Sequence, residues 1–310
     1  MYKILDTDLL DITGRQSEVI ELALTYGFGG INVDMEDLSK RSQRSSFENA
    51  SRFLVSSKLN IASFRVPISL DDDEATFESR FAQLAAIADV AGRCQARTAV
   101  LDVPNGTDRL PYPEYFEVVR KRIDRIAGLF SAAGVRLGLK MSAVAQPSDK
   151  QFKFVREVDG LVALLKSCSS KNVGLVLDTW NWHLGGGKLS HLDDLGVDRV
   201  CLVQLADCKE GVDVAATTDD DRLLPGSTGV IDNSAWLVKL GTQDIGVAAY
   251  GAASEEVTTR DAFIGLVQDS LNEVFAASGL PTHTRKPDSF IESAAGSSAE
   301  LVQGGEELGE

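Results

Sequence analysis

Residues 172–207 decide the fold. They read Asn172-Val-Gly-Leu-Val-Leu-Asp178, then Thr179-Trp-Asn-Trp-His183, then the short amphipathic run Lys188–Leu195, then Arg199-Val-Cys-Leu-Val-Gln204-Leu-Ala206 and Asp207. Two apolar runs of buried-strand length flank a segment that can supply one short helix. The alternation continues in both directions. Further apolar runs occupy Tyr2–Asp6, Gly30–Asp34, Asn60–Val66, Arg97–Val103, Arg136–Lys140 and Ile245–Gly251. Between them lie helical spacings at Gln16–Tyr26, Phe47–Ser57, Asp71–Ala96, Pro111–Ala133, Lys150–Ser169, Asn233–Leu240 and Thr258–Ser278. Gly27 closes the first as a C-terminal glycine, and the acids Asp71–Glu74 suit the positive end of the third helix dipole. The polar run Lys40–Ser46 precedes Phe47–Ser57 and is not read as a helix.

Strands alternating with helices require a parallel sheet with crossover connections. Eight repeats fit a closed (β/α)₈ TIM barrel of the α/β class better than an open sheet, and no G-x-G-x-x-G follows the first strand. The glycine run Gly185–Gly187 lacks the Lys-Ser pair of a phosphate loop. The barrel is expected to span residues 1–282. From 283 to 310 the chain turns to Gly, Ser, Ala and Glu, with Glu300, Glu306, Glu307 and Glu310 near its end, and a flexible acidic tail is expected there.

The chain has 310 residues, 31 Lys plus Arg against 46 Asp plus Glu, and a net charge of −15. Such a surface repels phosphate backbones, so no nucleic-acid partner is expected. No stretch approaches the roughly 20 apolar residues of a membrane helix. The start, Met1-Tyr-Lys-Ile-Leu-Asp6, lacks the pattern of a secretory signal. The four cysteines, Cys94, Cys168, Cys201 and Cys208, form no C-x-x-C pair and read as free thiols of a reducing, cytoplasmic compartment.

In a parallel barrel, function sits at the C-terminal strand ends. Those ends carry Asp34 and Glu36, Arg65, Asp102 and Asn105, Lys140, Asp178, Gln204 and Asp207, and Tyr250. Two segments here carry a resemblance: the stretch 172–183 with Val200–Asp207, and Arg222-Leu-Leu-Pro-Gly226-Ser-Thr-Gly229-Val-Ile-Asp232. With Pro67 ahead of Asp71–Glu74, they resemble the sugar phosphate isomerase/epimerase family, the xylose isomerase-like TIM barrels that include inosose and dehydroshikimate dehydratases. The resemblance spans roughly residues 1–280. It implies one divalent metal held by a glutamate ending strand five, an aspartate ending strand six, a histidine or glutamine on strand seven and a glutamate ending strand eight, with a histidine three residues after the aspartate.

Asp178 and Gln204 match those positions. Lys140 and Tyr250 stand where the two glutamates are implied, and Asn181 stands where the histidine is implied. A protonated lysine has no acceptor and cannot ligate a cation. No metal cofactor is therefore expected. Mn, Mg or Zn is the alternative if this matching is wrong. Two readings are open to Lys140: a Schiff-base amine, or a cation that replaces the metal and pairs with Asp178. The second is favoured. Lys140 and Asp178 are the candidate catalytic pair. Asn181, His183, Gln204, Arg222 and Tyr250 are candidate substrate contacts, Arg222 toward a substrate anion. Trp180, Trp182 and Tyr250 could wall a sugar ring or simply pack the mouth.

The resemblance implies an isomerase, epimerase or dehydratase acting on a polyol, keto-sugar or sugar acid, in a chain that could pair as a homodimer. The rival is a barrel that has lost its metal and serves only to bind a ligand or partner. A nuclease of the endonuclease IV type shares the barrel but needs several zinc ions and many histidines. This chain has three, His183, His191 and His283.

Overall fold

The computed structural model describes residues 1–144, 150–211, 213, 216–253, 257 and 259–281. The acidic segment 283–310 lies outside the described residues. Eight parallel strands close into a barrel: β1 (Tyr2–Leu5), β2 (Gly30–Asn32), β3 (Asn60–Arg65), β4 (Thr98–Asp102), β5 (Arg136–Lys140), β6 (Val173–Asp178), β7 (Val200–Leu205) and β8 (Gly246–Ala249). Each of these strands pairs with the next along the chain, and β8 closes on β1 with Tyr2 opposite Gly246.

The described residues form ten α-helices: α1 (Gln16–Thr25), α2 (Met35–Arg44), α3 (Phe47–Ser57), α4 (Glu74–Arg93), α5 (Tyr112–Ala132), α6 (Val158–Ser167), α7 (Thr179–Leu184), α8 (Ser190–Leu195), α9 (Asn233–Leu240) and α10 (Arg260–Ser278). Tyr2, Ile4, Ala62, Val100, Val176, Leu202 and Ala248 form a small apolar cluster of their own. A much larger apolar layer, from Met1 to Phe275, packs the helices on the strands. This is the filled-core arrangement of the barrel fold.

Two elements depart from the sequence expectation. The run Lys40–Ser46 lies mostly inside a helix: α2 is capped by Asp34, whose carboxylate accepts from the Asp37 N–H at 2.9 Å, and it buries only Met35, Leu38 and Ser39. So thin an apolar stripe hides a helix from periodicity. The helix expected from Lys150 begins only at Val158, because Phe152–Lys153 bridges back to Gly106–Thr107 in a two-stranded ribbon. Thr179–His183 lies in α7. Gly187 has a packing cause: a Cβ there would run into the Trp182 ring. All four cysteines are free, and no helix among the described residues is long and apolar enough to cross a membrane.

Candidate functional site

Strand register brings the chemistry together. Asp102 pairs with Lys140 across β4 and β5, and Asp178 pairs with Gln204 across β6 and β7. Lys140 Nζ stands 3.4 Å from Asp178 Oδ2. The cation that engages this carboxylate directly is Arg222. Its Nη1 donates to Asp178 Oδ1 at 2.9 Å and Oδ2 at 3.1 Å, while Nε and Nη2 both donate to Asp219 Oδ1 at 3.0 Å. The guanidinium carbon lies 4.0 Å from the Trp180 ring and 3.9 Å from the Tyr250 ring. Arg222 is thus buried against two aromatic faces and two carboxylates, rather than held out toward a substrate anion.

A local construction delivers Arg222 to this place. Asp207–Cys208 pairs antiparallel with Arg222–Leu223, with Cys208 opposite Arg222. The segment that follows wraps the Asp207 carboxylate. Thr228 and Gly229 N–H donate to Oδ2 at 2.9 and 2.8 Å, and Ile231 N–H donates to Oδ1 at 3.1 Å. Gly226 and Gly229 take φ of 82° and 77°, a region open to glycine. The Pro-Gly-x-x-Gly-x-Ile-Asp segment is therefore a backbone cradle for Asp207. Burial alone would push the Asp207 carboxyl up, but these N–H donors outweigh it and hold it below its ordinary value.

Asp178 caps α7, accepting from Asn181 N–H at 3.1 Å on Oδ1 and from Asn181 Nδ2 at 2.9 Å on Oδ2. Asn181 Oδ1 accepts from Ala143 N–H at 2.8 Å. Both polar ends of Asn181 are thus used internally. Burial raises the Asp178 carboxyl, but Arg222, Lys140 and these hydrogen bonds together bring it well below the usual carboxylate range. At Lys140 burial pushes the ammonium down, Asp178 draws it back up and Arg222 pushes it down again. The net direction is down.

The other half of the mouth is a cavity of about 100 Å³. Asp6, Ser63, Asp102, Lys140, Gln204 and Tyr250 line it, with Asn32 and Arg65 toward the rim. Two buried atoms in this wall, Ser63 Oγ and Gln204 Oε1, have no hydrogen-bond partner among the described residues. Lys140 Nζ lies 4.7 Å from the Tyr250 ring centre. Asp6, just past the end of β1, is buried and drawn up to about 7, first by desolvation and then by Asp8, against the pull of Lys140. Arg65 and Asp102 pair at 2.6 Å on the exposed rim. A more open groove of about 670 Å³ adjoins the cavity and shares Asp8 and Asn32 with it.

Of the sequence candidates, Lys140, Gln204 and Tyr250 face the cavity, while Asp178, Asn181 and Arg222 form the buried knot behind it. His183 is exposed on α7 and does not line the cavity. The aromatic wall reduces to Tyr250. Trp180 lies under Arg222, and Trp182 packs edge-on against Trp236 and His191, away from the cavity. The sequence reading passes over Asp6, although it closes an apolar strand as Asp102 and Asp178 do. Among the described residues no group of three or more His, Cys, Asp or Glu side chains is placed to hold a metal ion.

The fold has many relatives of known structure. A xylose isomerase domain protein from Alicyclobacillus acidocaldarius superposes with a TM-score of 0.77 at 22% identity, over 90% of this chain and 99% of that one. The IolI protein, solved with a bound zinc atom, gives 0.71 at 15% over 90% and 98%. D-psicose 3-epimerase, solved in the presence of D-fructose, gives 0.68 at 11% over 90% and 100%. No curated protein matches the sequence. The family model described as the xylose isomerase-like TIM barrel matches residues 20–262. The chain belongs to that xylose isomerase-like TIM barrel family.

Proposed function

We propose that this barrel binds a small polyol, keto-sugar or sugar acid in its mouth cavity and does so without the divalent metal the family resemblance implies. The observation that carries the reading is the Arg222 guanidinium on both oxygens of Asp178. A hard cation needs several oxygen donors free to face it. Here the matching carboxylate is bound to a guanidinium, the fifth-strand position is an amine and the eighth-strand position is a phenol whose ring lies against that guanidinium. The residues present do not fit the ion. Arg222 provides a fixed positive charge on the carboxylate that an ion would need, and guanidinium matches carboxylate geometry well.

The ligand class follows from the cavity wall. Gln204 Oε1 and Ser63 Oγ are buried acceptors without donors among the described residues, and buried polar atoms ordinarily have a hydrogen-bond partner. A hydroxylated ligand supplies the missing donors. Asp6, Lys140 and the Tyr250 ring complete a wall of the kind that recognises polar, ring-sized or smaller molecules. At about 100 Å³ the cavity is well under the roughly 300–1,000 Å³ of drug-sized sites, which favours a ligand of few carbons. That D-psicose 3-epimerase shares the fold supports a carbohydrate-like ligand for this chain.

The test is elemental analysis of purified protein together with thermal shifts against three- to six-carbon polyols, keto-sugars and sugar acids. The expected result is no stoichiometric metal and a stabilisation by at least one member that EDTA leaves unchanged. One tightly bound manganese or zinc per chain, or shifts that vanish with EDTA, would overturn it.

A further inference from the structure

We propose that Lys140 is a nucleophilic amine that condenses with the carbonyl of a small hydroxy-ketone or hydroxy-aldehyde in the mouth cavity, with Asp6 carrying the protons. The inference rests on the small-ligand reading above and deepens it. Its first support is connectivity. If Lys140 were the charge partner that Asp178 lacks, the carboxylate should be short of cations and donors. It is not: Arg222 Nη1 serves both oxygens, and the N–H and Nδ2 of Asn181 serve one each. Lys140 is left as a second cation on an anion already matched. Among the described residues its Nζ makes one ion contact, at 3.4 Å, and one cation–π contact, and donates no hydrogen bond.

The second support is place. Nζ is on the wall of the mouth cavity, and Asp6 is on the same wall from the first strand. Of the two cations sharing Asp178, a guanidinium does not give up its proton and an amine can. A buried amine beside another cation is the arrangement in which lysines attack carbonyls. The groups facing Lys140 are Asp178, Arg222, Asp102 and Asp6, with the Tyr250 ring against it.

The step balances without any further reactant. The Nζ lone pair forms a C–N bond to the carbonyl carbon as the C=O π pair moves to oxygen, which takes a proton from the nitrogen. A second proton, from the Asp6 carboxyl, lets that oxygen leave as water and gives the protonated imine. The imine acidifies the neighbouring C–H, and its proton passes to the Asp6 carboxylate. Returning the proton to the opposite face of the same carbon restores the protonated imine, and adding water releases the amine and an epimerised product. No electron leaves the ligand, so no redox partner is required. The arrangement would allow epimerisation at the carbon beside the carbonyl, with the protonated imine as the electron sink.

The experiment is reductive trapping on the full chain. Protein is incubated with dihydroxyacetone or glyceraldehyde at millimolar concentration, treated with cyanoborohydride and mapped by peptide mass spectrometry. The expected result is Lys140 modified at least about tenfold faster than any other lysine, as for an activated amine. Heat-denatured protein should lose that preference. Lys140→Arg, which keeps the charge and removes the amine, should show only the background labelling of other lysines. Asp6→Asn should slow trapping at Lys140 while leaving the other lysines unchanged. Labelling spread evenly over surface lysines, or Lys140 unlabelled, overturns the inference. If Lys140 stays unlabelled while polyol thermal shifts persist, the imine fails and the metal-free binding site stands. If the shifts depend on metal, the underlying reading itself fails.

Discussion

The two halves of the barrel mouth are built on opposite rules. Behind β6, Asp178, Asn181, Arg222 and Asp219 form a closed network in which both Asp178 oxygens and both polar ends of Asn181 are engaged. Across the mouth, Asp6, Ser63, Lys140 and Gln204 stand around a cavity with buried atoms unpartnered among the described residues. A complete network fixes a structure, and an incomplete one leaves positions for a ligand. The first half reads as the frame and the second as the place of contact. Substitutions should therefore act on stability in the first half and on binding in the second.

The largest effect should come from Arg222→Ala. It leaves a buried carboxylate with only Lys140 nearby as a cation, and breaking a buried pair from one side costs about 3–5 kcal/mol. Arg222→Lys should recover only part, because an ammonium cannot span Asp178 and Asp219 while stacking on Trp180 and Tyr250. Urea denaturation gives the measure. A loss below about 1 kcal/mol for Arg222→Ala, the level of an exposed pair, would show that the knot is not a frame.

Asp6 tests the open half through pH. Its carboxyl rises from 3.8 to about 7 in the fold. Between those values the folded chain keeps a proton that the unfolded chain has released, so this group's contribution to stability is highest below about pH 4 and falls as pH climbs to 7. A shift of that size corresponds to at most roughly 4 kcal/mol above pH 7, and to less where water reaches the cavity. Asp6→Asn stays neutral throughout. It should match the native protein near pH 4 and exceed it in melting temperature at pH 8, with Asp8, Lys140, Arg65 and Asp102 unchanged around it. A gap that does not grow with pH would place Asp6 in ordinary solvent.

Much of the fold is legible because barrel strands are short apolar runs and their helices keep a three-to-four spacing. The exceptions have local causes. α2 buries three residues in ten and so has almost no stripe to read. The site is legible only in part. Lys140, Gln204 and Tyr250 lie at strand ends, and ends can be counted along the chain. Arg222 arrives from a two-residue ribbon 44 positions beyond Asp178, and nothing in the spacing says where that ribbon folds back. The expectation of a cation against Asp178 rests on charge. Charge alone cannot choose between the Lys140 amine that ends β5 and a guanidinium carried in from a distant loop.

Asp207 sharpens the same division from outside the mouth. Asp207→Ala removes the acceptor for the Thr228, Gly229 and Ile231 N–H groups, an expected loss of about 2 kcal/mol. Because the cradle holds the ribbon that carries Arg222, hydrogen exchange should quicken at residues 228, 229 and 231 and at 222–223 together. Quickening confined to the cradle would uncouple the two.

The smallest effect on stability should fall on Ser63, and it separates the halves most cleanly. Its hydroxyl is buried without a partner among the described residues, so the fold gains nothing from it. Replacing an unpartnered buried polar group by an apolar one of similar shape is neutral or stabilising. Ser63→Ala should therefore lose no more than about 0.5 kcal/mol of stability relative to the native protein. If the cavity holds a hydroxylated ligand, the same change deletes one of its hydrogen bonds and should weaken binding by about 1 kcal/mol, or roughly fivefold. Gln204→Leu is the companion on β7 and should behave alike. A Ser63→Ala protein that is clearly destabilised in the absence of ligand would mean the hydroxyl already has a partner, and the contrast between a closed frame and an open wall would fail at this residue.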